Sequence, residues 1–124
     1  MSCRSLVEVD LTECSTKIKS INQSFDYCSA LKEIKGELDF SEATSIGTFV
    51  QNANLLEEIR IKKETVSLTM NVGVPLLSAS SIQSIIDSLK TVETTQTLQF
   101  HADVKAKLTE EQIATITSKN WNIA

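Results

Sequence analysis

The stretch Tyr27-Cys28-Ser29-Ala30-Leu31-Lys32-Glu33-Ile34 returns 25 residues later as Asn52-Ala53-Asn54-Leu55-Leu56-Glu57-Glu58-Ile59. In that register Cys28 falls on Ala53, Leu31 on Leu56 and Ile34 on Ile59, while Phe25 falls on Val50. One shift back, Cys3 falls on Cys28, Leu6 on Leu31 and Val9 on Ile34. Ile18, Ala43 and Leu68 share a further column, as do Ile21 and Ile46. Nearly every column stays apolar, and no insertion is needed between copies. A fixed period of this size marks a stack of small units, none able to bury its apolar side alone.

Within each copy the apolar residues are spaced for a strand. Leu6, Val9 and Leu11 read L-x-x-V-x-L, and Leu56, Ile59 and Ile61 read L-x-x-I-x-I. The final pair alternates, as a half-buried strand requires. Stacked copies then form a parallel ladder on one side with turns on the other, equivalent residues lying about 4.8 Å apart. The residues between the apolar positions face away from the core: Glu8 and Asp10, Glu33 and Lys35, then Glu58, Arg60 and Lys62. This row, acidic in the first copy and basic in the third, is the candidate binding face, because stacked repeats use their open sheet to meet partners. The middle copy departs from the pattern. Gly36-Glu37 stands where the second strand position belongs, so Leu38 and Phe40 resume the alternation two residues later, through a bulge or a widened turn.

These residues resemble a known family. The segments ending in Ile34 and Ile59 look like the F-x-x-C-x-x-L-x-x-I core of BspA-type leucine-rich repeats. Leu38-Asp39-Phe40-Ser41-Glu42-Ala43-Thr44-Ser45-Ile46 is similar to that family's L-D-x-S-x-V-T-x-M stretch. The resemblance covers about residues 3–70, with Ala53 in place of Cys and Val50 in place of Phe. From Pro75 to Ala124 the chain looks like the C-terminal ending of related proteins from gut Firmicutes and their prophages. The resemblance implies an α/β fold: a short leucine-rich-repeat solenoid with a parallel β-sheet and a helical C-terminal cap. It implies a binding or display role, on a cell surface or in a phage, and no enzymatic activity.

After Met70 the grammar changes. Ile82, Ile85, Ile86 and Leu89 fall on one helical face, with Ser78 or Ser80 as N-cap and Pro75 marking the break before it. Thr97-Leu98-Gln99-Phe100-His101 alternates and reads as a strand. Thr109-Glu110-Glu111-Gln112 is a capping box, with Leu108 and Ile113 placed as its hydrophobic staple. Asn120 suits the helix end, after which Trp121 and Ile123 fold back as apolar plugs. The expected organisation is therefore about three repeats over residues 1–74 and a cap over 75–124. That cap is two helices and one strand, in one cooperative unit with the repeats.

Composition narrows the function. The 124 residues carry a net charge of -4, which disfavours nucleic acid as a partner, since phosphate binding needs basic residues to displace counterions. No apolar run reaches the length of a membrane span. Charges at Glu8 and Asp10 follow Met1 too soon for a signal peptide, so an untargeted soluble chain is expected. Cys3, Cys14 and Cys28 form no Cys-x-x-Cys pair, and His101 is too isolated to complete a zinc site, so no metal or other cofactor is expected. A Cys3–Cys28 disulfide and a ladder of free inward thiols both fit the repeat register. No phosphate loop, metalloprotease motif or serine elbow is present.

The leading expectation is a non-catalytic module that binds a protein or a glycan on the open sheet face. The alternative is a structural capping or assembly element, such as a virion component, with no ligand of its own. Cys3 and Leu6 put the ladder in register almost from Met1, with no capping segment before it. This predicts either missing repeats upstream or self-association through the uncapped first copy.

Overall fold

The computed structural model describes residues 8–10, 29–48, 50 and 53–124. Cys3, Cys14, Cys28, Leu6 and Phe25, and with them the thiol ladder, lie outside the described residues. In chain order the elements are β1 (Glu8–Asp10), β2 (Glu33–Leu38), β3 (Gly47–Thr48), β4 (Glu58–Ile61), β5 (Met70–Val72), α1 (Ala79–Ser88), β6 (Gln96–Phe100), α2 (Ala102–Lys105), α3 (Glu110–Ser118) and β7 (Trp121–Ile123). They build a mixed α/β fold with two small sheets, ordered β1-β2-β4 and β3-β5-β6-β7.

Every strand pair is parallel. In the first sheet Glu8 pairs with Glu33, and Glu33 with Glu58, so the 25-residue sequence period is also the backbone register. The second sheet replaces the plain turns expected opposite the ladder. Its register pairs Gly47 with Met70, Met70 with Leu98 and Leu98 with Ile123. Those offsets are unequal, so no constant shift of the sequence reveals them.

Alternation decides what is buried. Leu31, Ile34 and Leu38 are at most 1% exposed, as are Leu56 and Ile59, and Ile61 is 2% exposed. The second sheet adds Met70, Val72, Leu98, Phe100 and Trp121 to the same core, and α1 adds Ile82, Ile85 and Ile86. At about 25 cal/mol per Å² of apolar surface removed from water, this shared core is the main driving force for folding.

The irregularity expected at Gly36 is present. Between Glu33↔Glu58 and Glu37↔Arg60, β2 spends two residues more than β4, after which Leu38 meets Ile61 in register. Gly36 takes φ 97, a region open to glycine and costly for a residue with a Cβ. Gly36→Ala is expected to lower the unfolding free energy by about 1–3 kcal/mol. Urea denaturation followed by circular dichroism measures this, and an unchanged midpoint would mean that the bulge relaxes freely.

The C-terminal part holds one short helix and one strand more than its sequence suggests. Ser78 caps α1, its side chain accepting from the Ser81 amide. The capping box of α3 forms as read, Thr109 and Gln112 bonding each other's backbone. Its staple buries less than expected, because Ile113 remains 40% exposed. His101 caps α2, its Nδ1 accepting from the Asp103 amide at 3.0 Å. Asn120 takes φ 69 just past α3, the left-handed turn that lets β7 join the second sheet.

Candidate functional site

The first sheet carries its charge on one face. Glu8, Glu33 and Glu58 form a single column across β1, β2 and β4, at successive register positions. Beside it Asp10 pairs in register with Lys35, while the bulge places Glu37, not Lys35, opposite Arg60. Three like charges in a column repel one another unless cations intervene. Lys35 Nζ lies 3.2 Å from Glu8 Oε2, and Arg60 Nη2 lies 3.4 Å from Glu58 Oε2. All four side chains are between 38% and 46% exposed, so each pair contributes only about 0–1 kcal/mol to stability. Glu33, Lys35, Glu58 and Arg60 surround a shallow hollow of roughly 270 Å³ over Gly36.

Two of the seven expected face residues sit differently. Arg60 leans off the sheet toward α1, where its guanidinium donates to Ser80 Oγ and Ser81 Oγ at 3.1 Å. Lys62 lies one residue past the end of β4, with its Nζ 3.8 Å from Asp39 Oδ2. The strand that would have kept Lys62 on the face ends at Ile61. The side chain of Asp10 lies outside the described set. Glu37 was missed by the alternation. With Lys63, Gln83 and Asp87 it borders a second hollow between β4 and α1. Counting two extra residues at the bulge is the step that would have found it.

The two sheets divide the polar residues sharply. Seven of the 13 residues in β1, β2 and β4 are charged, and none of the 13 in β3, β5, β6 and β7 is. Outside the first sheet the acids and bases are scattered singly. The lone histidine has its Nδ1 engaged in capping α2. Among the described residues no group of three or more His, Cys, Asp or Glu stands close enough to hold a metal ion. No helix among them is long and apolar enough to cross a membrane. What this geometry offers is a rigid, charge-patterned surface whose ion pairs can re-form with a partner's charges. No family model matches the chain, and no curated protein or solved structure matches it either.

Proposed function

We propose that the chain is a non-catalytic binding module, a short leucine-rich-repeat solenoid with a helical C-terminal cap. It takes a protein or a glycan on the charged face of its first sheet. The observation that carries this reading is the sorting of charge onto one sheet, in half-exposed pairs aligned by a 25-residue register. The burial of Val50, Ala53, Leu56 and Ile59 supports the leucine-rich-repeat assignment, since these occupy the resembling core positions. On that resemblance the parent is a bacterial surface or prophage-encoded protein.

The test uses a variant with Glu8, Glu33, Lys35 and Glu58 all changed to alanine. Arg60 is left intact because it also holds α1. Protein and glycan ligands are selected on the wild-type chain from a displayed protein library and a glycan array. The variant should bind them at least about tenfold more weakly, with the loss growing as salt falls, because charged contacts are screened by salt. Its melting temperature should stay within about 3 °C, since exposed ion pairs contribute little. Undiminished binding by the variant overturns the assignment of this face.

The second reading, a structural cap for a longer array or an assembly, is favoured by one observation: α1 closes the edge of β4 with side chains. Light scattering across concentration separates the two, because an assembly element grows in mass where a binding module alone stays monomeric.

A further inference from the structure

We infer that the outer face of the second sheet is a separate surface for a neutral, hydroxyl-rich glycan. The side chains that leave this sheet away from the core are Thr69, Asn71, Thr97, Gln99 and Asn122. Register aligns them in rows that run across the strands: Asn71 beside Gln99, and Thr97 beside Asn122. Thr69 extends the second row, its Oγ1 accepting from the Thr97 amide at 3.2 Å. Neighbours in a row are about 4.8 Å apart, the spacing of adjacent strands.

The chemistry of these rows selects the partner. With no charged residue in any of the four strands, an ionic ligand finds no counter-charge there. An apolar ligand is also disfavoured, because it would strip water from amides and leave them unpaired. Gln99 and Asn122 are exposed, and neither side chain hydrogen-bonds to any described residue. Each amide offers donors and an acceptor together, which matches the hydroxyls of a sugar. The neighbouring groups are held in place: Thr69 Oγ1 donates to Gln96 Oε1 at 2.9 Å, and Asn71 Oδ1 accepts from the Gly73 amide at 2.9 Å. A glycan therefore meets donors and acceptors that are already ordered, at low entropic cost. The charged face of the first sheet plays no part in this site.

Affinity electrophoresis of the full chain through gels containing dextran, mannan or β-glucan tests the assignment, with heparin as the anionic contrast. At least one neutral polysaccharide should retard the wild-type chain, with little change between about 50 and 500 mM salt, since no charges pair. The paired substitutions Gln99→Glu and Asn122→Asp keep shape but replace amide donors with negative charge. They should weaken retardation by about tenfold or more, as loss of two hydrogen bonds implies. The first-sheet variant lacking Glu8, Glu33, Lys35 and Glu58 should run like the wild type, so the two surfaces fail or succeed independently. Both residues are exposed, and an unchanged circular dichroism melt confirms that the variant folds. No retardation by any neutral polysaccharide, or retardation that survives the paired substitutions, overturns the proposal. Binding to heparin alone does so as well.

Discussion

Replacing Trp121 by alanine should lower the unfolding free energy by about 3–5 kcal/mol, the largest single-residue effect expected in this chain. Trp121 is 2% exposed, opens β7 and is the bulkiest of the fully buried side chains. Removing its indole leaves a void that the surrounding aliphatics fill only in part. The ring also donates from Nε1 to the Lys90 carbonyl at 2.8 Å. Its two predecessors grip the same segment. Lys119 Nζ donates to the Leu89 carbonyl at 2.9 Å, at the C-terminal end of α1 where a cation is favoured by the helix dipole. Asn120 Nδ2 donates to the carbonyls of Val92 and Glu93. Residues 119–121 thus fasten the connection between α1 and β6. A domain of this size has about 5–15 kcal/mol in total, so the variant loses a large fraction of its stability. Trp121→Phe should recover most of the burial and lose about 1 kcal/mol through the missing hydrogen bond. The measurement is urea denaturation by far-ultraviolet circular dichroism, because Trp121 is the sole tryptophan and its fluorescence vanishes with it. A loss below about 1 kcal/mol would show that β7 frays apart from the core.

Some of this architecture was legible in the sequence because the physics that produced it is periodic. Leu31 with Leu56, and Ile34 with Ile59, occupy equal places in a parallel ladder, so a single shift of 25 exposes them. The α1 face was legible for the same reason, since Ile82, Ile85, Ile86 and Leu89 repeat at the helical period and all are buried. The second sheet was not legible. Gly47–Thr48 and Met70–Val72 are too short to show an alternation, and their partners lie at offsets that differ from one pair to the next. A cap with one strand was the natural reading of the C-terminal part, yet β6 and β7 extend the same sheet as β3 and β5.

The charged face was legible as a set but not in its details. Alternation correctly put Glu33, Lys35, Glu58 and Arg60 outward, because Ile34 and Ile59 between them had to be buried. It missed Glu37, since a two-residue bulge moves every later residue relative to its neighbour strand. It kept Lys62 on the face because nothing in the sequence marks Ile61 as the strand's last residue. It gave no hint that Arg60 turns toward α1, a contact between positions 20 and 21 residues apart. Such contacts depend on where a helix docks, and local pattern does not encode that.

The second large effect concerns the edge that α1 closes. A strand at the end of a sheet presents unpaired amides and carbonyls, and proteins cover or disrupt such edges to prevent pairing with other chains. Here β4 is covered by serines. Ser81 Oγ and Ser84 Oγ each accept a hydrogen bond at 3.0 Å, from the amides of Ile59 and Ile61. The same hydroxyls donate to the carbonyls of Glu57 and Ile61, and the Ser78 amide also donates to Glu57. One helix face therefore supplies donors and acceptors in the places a fifth strand would supply them. Ser81→Ala with Ser84→Ala removes both acceptors while leaving the helix propensity at least as high. Each orphaned buried amide costs about 1–3 kcal/mol, so the double variant should lose about 2–5 kcal/mol in urea denaturation. Ser80→Ala is the control. Ser80 is exposed and bonds only to Arg60 and Ser78, so its loss should stay within about 0.5 kcal/mol. Loosening α1 also uncovers β4, and light scattering should then show mass rising with concentration in the double variant alone. A double variant as stable and as monomeric as the Ser80→Ala control would mean that packing of Ile82, Ile85 and Ile86 seats α1 without the serines.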